Sequence, residues 1–285
     1  MSENASSPLE GFHPLIRRWF EERFGEPTPV QAAAWPRIAS GAHVLVTAPT
    51  GSGKTLAAFL WGIDRMVSGA WSTGQTRVLY ISPLRALNND IRRNLMIPLE
   101  ELAALFAAEG EPFPSIRALT RSGDTPADER RHMLRRPPEI FITTPESLNI
   151  LLTAKSGRNN LTGIAAIVLD EIHAVAGTKR GSHLITAVER LVPLSGEFQR
   201  IALSATVRPL DTVAAFVGGY RLIGDGPGGR YEPREVVIAD HAGGRRFDIR
   251  VAFPDNARER MADDSWWPAL VADFKKIIHG NRSTL

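Results

Sequence analysis

Apolar residues recur along this chain at two spacings, and the alternation between them predicts the architecture. Phe12, Leu15, Ile16, Trp19, Phe20 and Phe24 stand mostly three or four residues apart, which places them on one face of a helix. Pro14 near the start and Gly25 just past the end bound that helix to residues 13–24. Pro27-Thr28-Pro29-Val30-Gln31 then turns the chain into a second helical stretch ending near Gly41. Short continuous apolar runs follow: Val44 to Val46, Val78 to Ile81, Ile116 to Leu119, Ile140 to Ile142, Ala166 to Leu169 and Ile201 to Leu203. Runs without polar alternation predict strands buried on both faces. Helical patterns such as Leu56, Phe59, Leu60, Ile63 and Val67 lie between them. The chain therefore predicts an α/β fold, a parallel sheet flanked by helices on both faces, with its sites at the carboxyl ends of the strands.

From about Gly218 the pattern changes. Gly218-Gly219 and the glycine-rich residues 224–229 mark loops. Glu235 to Ala239 and Phe247 to Phe253 predict a β-hairpin around Ala242-Gly243-Gly244, and Pro268 to Ile278 predicts a helix. Ser283-Thr284-Leu285 reads as the opening of a strand cut short. No internal repeat or low-complexity tract is present.

A length of 285 residues with 43% apolar content suits one large or two modest globular domains. The absence of cysteine excludes disulfides, thiol nucleophiles and cysteine-held metal centres. Residues 1–8 lack a basic start and an apolar core, and no apolar run approaches the roughly 20 residues that span a bilayer. These features predict a soluble, cytoplasmic protein. The net charge of +3 does not by itself indicate a polyanionic partner. Lysine stands at only five of the 34 basic positions. Arginine suits bidentate phosphate contact, although a GC-rich genome produces the same bias. The clusters Arg130-Arg131 and Arg135-Arg136 read equally as solvated helix faces.

The chemistry begins at Ala48-Pro49-Thr50-Gly51-Ser52-Gly53-Lys54-Thr55, between an apolar strand and a helical pattern. Backbone amides of Thr50, Gly51, Ser52 and Gly53 can close around a polyphosphate, Lys54 can reach its outer phosphates, and Thr55 can ligate Mg²⁺. Ala48 takes the place of the first glycine of this P-loop pattern, which ordinary backbone with negative φ allows. A triphosphate site also needs an acidic element at a neighbouring strand end. Ile167-Val168-Leu169-Asp170-Glu171 supplies Asp170 for Mg²⁺ and Glu171 as acceptor for the proton of an attacking water.

These residues resemble a family. Asp170-Glu171-Ile172-His173 is similar to the DExH box of superfamily 2 helicases, and further segments follow in the family's order. Pro27 to Gln31 resembles the Q motif, Pro83-Leu84-Arg85-Ala86-Leu87 motif Ia, Thr144-Pro145-Glu146-Ser147-Leu148 motif Ib, and Ser204-Ala205-Thr206 motif III. Together with Arg121-Ser122-Gly123-Asp124-Thr125 they resemble the large helicase-related (Lhr-type) branch over residues 12–210. The resemblance implies a RecA-like P-loop NTPase domain using ATP and Mg²⁺, with Gln31 reading the adenine edge. It implies that His173 links the nucleotide site towards Ser204 or Gln31, and that Ser204 and Thr206 couple nucleotide and polymer. Pro83, Arg85, Thr120, Arg121, Thr144, Pro145 and Ser147 fall at strand ends suited to holding a sugar-phosphate backbone. Thr144 and Ser147 read equally as helix caps.

The expected organisation is a flexible N-terminus at 1–12, a RecA-like ATP-binding domain at 13–218, a loop and hairpin extension at 219–265, and the start of a second RecA-like domain at 266–285. In the family a second sheet carries the arginine that neutralises phosphoryl charge, so residues 1–285 alone are expected to bind ATP·Mg weakly and hydrolyse it poorly. The parent activity is expected to be ATP-driven translocation on single-stranded DNA or a DNA:RNA hybrid; DNA repair and 3′ to 5′ polarity are further implications of the resemblance. An RNA helicase domain, a non-catalytic nucleic-acid-binding module, and a P-loop kinase or transporter ATPase stand as alternatives. Phe12 and Phe24 are read as core or adenine-packing residues, and Trp266-Trp267 as interdomain packing or base-stacking residues.

Overall fold

The computed structural model describes residues 7–83, 91–224, 228–241 and 267–280. The apolar runs become β1 (His43–Thr47), β2 (Val78–Ile81), β3 (Ala118–Arg121), β4 (Ile140–Thr143), β5 (Ala166–Leu169) and β6 (Gln199–Ser204). β7 (Tyr220–Ile223) and β8 (Arg230–Pro233) form a separate antiparallel pair, and β9 (Val236–Asp240) follows. The main sheet has the order β3-β4-β2-β5-β6-β1-β9, and all its pairings are parallel.

Successive strand residues enter opposite layers, which is why the strands read as unbroken apolar runs. Val44, Val46, Val78, Tyr80, Ile140, Ile142, Val168, Ile201 and Leu203 pack on one face with α1 (Pro14–Phe24), α2 (Pro29–Ala39) and α3 (Lys54–Val67). Leu45, Leu79, Ile81, Phe141, Ile167, Leu169 and Ala202 pack on the other with helices Pro145–Thr153, Lys179–Glu189 and Leu210–Gly218. Helices on both faces leave only the strand ends open to chemistry.

Several expectations change. β3 lies two residues beyond the predicted run, because its register is set by pairing Ala118 with Ile140 and Arg121 with Thr143, while the Arg117 N–H is held by the Glu139 carboxylate at 2.8 Å. Val236–Asp240 joins the main sheet, a place the sequence did not assign it, pairing parallel with β1 from His43↔Val236 to Thr47↔Asp240. The expected hairpin partner, 247–253, lies outside the described residues; among the described residues of this region β7 pairs antiparallel with β8. The RecA-like sheet thus continues past residue 218, and the first compact unit runs through residue 243.

A buried ionic clasp explains this arrangement. Arg200 in β6 donates to the Glu189 carboxylate at 2.8 Å and to the Val217 and Gly218 carbonyls at 3.0 and 2.9 Å. Arg234 forks onto Glu197 with two 2.9 Å bonds and reaches Glu189 at 3.0 Å. Two buried guanidiniums with paired charges hold the turn before β9, so the apolar Val236 to Ala239 run falls alongside β1.

The N-terminal stretch also departs from its expectation, since Leu9 and Phe12 are buried. Phe12 meets Trp35 and Trp61 edge-on at 5.1 and 5.9 Å, a core position. Phe24 is instead 45% exposed at the end of its helix, where Trp19 and Phe20 cover one side of its ring. Residues 244–285 form a second unit, of which helix Trp267–Gly280 is described; Trp267 is exposed, and Trp266 lies outside the described residues. Among the described residues no helix is long and apolar enough to cross a membrane.

Candidate nucleotide site

Between β1 and α3 the chain makes a tight loop whose glycines are required by its geometry. Gly51 and Gly53 have φ of +77° and +90°, conformations that side chains resist. A Cβ on Gly53 would also lie 2.6 Å from Gln31 Nε2. Among the described residues the sole non-glycine with positive φ is Glu171, so Ala48 stands in ordinary backbone, as its replacement of glycine requires. Lys54, 9% exposed, donates from Nζ to the Ala48 and Pro49 carbonyls at 2.6 and 2.9 Å. Burial pushes its pKa down, and the nearby Glu171 and Asp170 charges oppose that shift. The Ser52 hydroxyl is buried without a hydrogen-bond partner, an acceptor-seeking group inside the loop. Thr55 follows in the first turn of α3.

Gln31 supports this loop from α2. Thr28 caps the helix and forms a capping box with Gln31, whose Oε1 accepts the Thr28 N–H at 2.9 Å. The Gln31 amide then donates to the Gly53 carbonyl at 3.3 Å, and the Thr28 hydroxyl donates to the Ser52 carbonyl at 2.8 Å. Both functional ends of the Gln31 amide are therefore engaged by protein.

The acidic pair stands two strands away, past β6, at the end of β5. Asp170, 7% exposed, accepts the Glu171 N–H at 2.8 Å on Oδ1 and the Tyr80 hydroxyl on Oδ2. Burial raises its pKa; the two donated hydrogen bonds and Lys54 pull the other way, while Glu171 adds to the rise. Glu171 is held in the left-handed region at φ +49°, a conformation costing about 1 kcal/mol for a residue with a side chain. His173 connects the box to β6. Its Nδ1 accepts the Ala205 N–H at 3.1 Å, which places the ring proton on Nε2, 3.2 Å from Glu171 Oε2. A continuous contact thus joins Glu171, His173 and the Ser204-Ala205-Thr206 segment. Ser204 itself is buried with its hydroxyl unpartnered, and Thr206 is exposed.

The strand-end edge on β2, β3 and β4 is built differently. Thr144 caps helix Pro145–Thr153, its oxygen accepting the Ser147 N–H at 3.3 Å, and Thr144, Pro145 and Ser147 are buried. Pro83 is buried too, and Arg85 lies outside the described residues. Thr120 is exposed and Arg121 half-buried; burial and the neighbouring Arg130 charge lower the Arg121 pKa. Arg130 folds onto the Thr125 and Gly123 carbonyls at 2.7 and 2.6 Å, bracing the Arg121 to Thr125 turn. Sequence reasoning missed Tyr80. Its one available signal was a hydroxyl-bearing ring inside an apolar strand run.

A family model for DEAD/DEAH box helicases matches residues 28–213. Among curated proteins the chain is similar to the Lhr helicase/probable uracil glycosylase of Mycolicibacterium smegmatis, at 43% identity over the whole chain and 18% of that protein. It is 46% identical to the Lhr helicase/uracil glycosylase of Escherichia coli, covering 96% of the chain and 18% of that protein. It is 44% identical to ATP-dependent helicase Lhr-Core protein 2 of Thermococcus barophilus, covering 95% of the chain and 31% of that protein. The chain thus spans less than a third of these relatives. Among solved structures, the Mycobacterium smegmatis helicase Lhr bound to ssDNA and AMP-PNP superposes with a TM-score of 0.80 at 43% identity, covering 98% of this chain and 34% of that one. A P-loop after β1, an acidic box after β5 joined through histidine to the end of β6, and the family match over residues 28–213 have one reading: the chain belongs to the DEAD/DEAH box helicase family, as an ATP-binding, RecA-like domain.

Proposed function

We propose that this domain binds ATP with Mg²⁺ and serves as the ATP-hydrolysing half of a motor that moves along single-stranded DNA. The observation that carries the reading is that Lys54 after β1 and Asp170 and Glu171 after β5 stand at the same edge of the sheet, on either side of β6, with the charges of both carboxylates opposing the burial-driven fall of the Lys54 pKa. The glycine-shaped loop and the N-terminus of α3 hold the phosphates, with Lys54 exchanging its loop carbonyls for phosphate oxygens. Thr55 and Asp170 hold Mg²⁺, which supplies charge neutralisation at the transferring phosphoryl. Glu171 takes the proton of the attacking water, oriented by the His173 Nε2–H. Gln31 fixes the loop with one amide N–H and one Oε1 lone pair and reads the adenine edge with the second N–H and the second lone pair.

On the strand-end edge, Thr120 and Arg121 contact the polymer backbone directly, whereas Thr144, Pro145 and Ser147 shape a helix N-terminus with which phosphate can pair. Pro83, which follows β2, continues that edge. Ser204 and Thr206 relay nucleotide state through His173. Helix Trp267–Gly280 begins a second RecA-like unit, and translocation belongs to the longer polypeptide that the relatives represent. The test compares ATP turnover by a chain extended through that second unit, with single-stranded DNA and with RNA of the same sequence. Stimulation by DNA above RNA is expected. If neither polymer raises turnover, the motor reading is wrong.

A further inference from the structure

We propose that Tyr80 is a positioning residue for the metal-nucleotide site, orienting the Asp170 carboxylate from the neighbouring strand; this rests on the nucleotide reading above. Tyr80 lies in β2, paired in parallel register with Val168 of β5, so its hydroxyl reaches two residues along the neighbouring strand to Asp170 Oδ2. The ring is 1% exposed and stacks on Phe59 of α3 at 4.8 Å with planes 25° apart. A ring clamped by α3 has little freedom, and its hydroxyl therefore transmits the position of the helix carrying Lys54 and Thr55 to the carboxylate on β5.

The other oxygen of the Asp170 carboxylate is held as well. Oδ1 is held by the Glu171 N–H, and the Asp170 N–H donates to the Ile81 carbonyl at 2.9 Å. With one donor on each oxygen the carboxylate plane is set by protein, leaving lone pairs for a hydrated cation. Partners of this kind, one step removed from the ion, typically govern metal affinity by 10- to 100-fold. Tyr80 belongs to none of the helicase motifs identified in the sequence.

The experiment measures binding of a fluorescent ATP analogue to the full chain across a Mg²⁺ series and in EDTA, for wild type, Tyr80→Phe, Asp170→Asn and the double variant. Tyr80→Phe keeps the ring and its stack and loses only the hydroxyl. The inference expects about a 10-fold rise in the Mg²⁺ concentration needed for half-maximal binding, unchanged affinity in EDTA, and no further effect of Tyr80→Phe in the Asp170→Asn background. An unchanged Mg²⁺ requirement would overturn it, as would an equal loss of affinity in EDTA, which marks a purely structural role. Wild-type chain that binds no nucleotide with Mg²⁺ would overturn the nucleotide reading itself, and this inference with it.

Discussion

The two ends of the sheet edge are organised by opposite means. Around the P-loop, bonds between distant elements hold the site together: Gln31 of α2 grips Gly53, Tyr80 of β2 holds Asp170, and His173 joins Glu171 to Ala205. On the β3–β4 side the bonds are mainly local, as in Thr144 with Ser147, Ser122 with Thr125, and Arg130 with its own loop. Long-range bonds preorganise a site before its ligand arrives, whereas local caps stabilise helices and turns and leave orientation to a partner. Under the proposed function, the nucleotide end is therefore preorganised by the fold, and the β3–β4 edge is a surface shaped by its own caps and turns.

Breaking the nucleotide end should have the largest effect. Glu171→Gln in the extended protein is expected to lower kcat by ~10²–10⁴-fold while nucleotide binding persists, read by phosphate release and analogue fluorescence. Lys54→Ala should weaken binding as well as turnover, with ~10²–10³ lost from kcat/KM; equal losses confined to kcat would show that Lys54 acts only in the transition state. Arg234→Ala tests whether the clasp is independent of the site. It strands the partly exposed Glu197 carboxylate and leaves Glu189 with Arg200 alone, and should cost about 2 kcal/mol in denaturant unfolding while leaving nucleotide affinity unchanged.

The polymer end separates by smaller effects. Thr144→Ala should cost about 1 kcal/mol of stability through its lost cap with little change in single-stranded DNA affinity. Arg121→Ala should do the reverse, lowering the slope of log affinity against log salt by about one; a steeper dependence on Thr144 than on Arg121 would reverse the assignment. The smallest effect is in acid. The Arg234 hydrogen bond holds the Glu197 pKa below the ordinary carboxylate range, so its stabilisation is fully present above the unfolded-state pKa and is lost as pH falls through the lower folded value. Arg234→Ala should flatten that part of the acid-unfolding profile, measured by circular dichroism.

Much of this protein was legible in one dimension, because the features concerned are local. Glycine spacing specified the P-loop, continuous apolar runs specified buried parallel strands, and Asp170-Glu171 stood at a strand end because β5 is apolar up to Leu169. Tertiary structure decided what depends on distant partners. Nothing local assigns Val236 to Ala239 to the main sheet; the Arg200 and Arg234 clasp, formed with residues from three other segments, sets it beside β1. The sequence could not show that Gln31 spends its amide on the loop, that Thr144 is a buried cap, or that Phe24 ends half-exposed. Nor could it show that Tyr80 meets Asp170, since that contact exists only once β2 and β5 pair in register. Periodicity and short motifs are written in neighbouring residues, whereas the order of strands and the partners of buried polar groups arise only when the chain closes on itself.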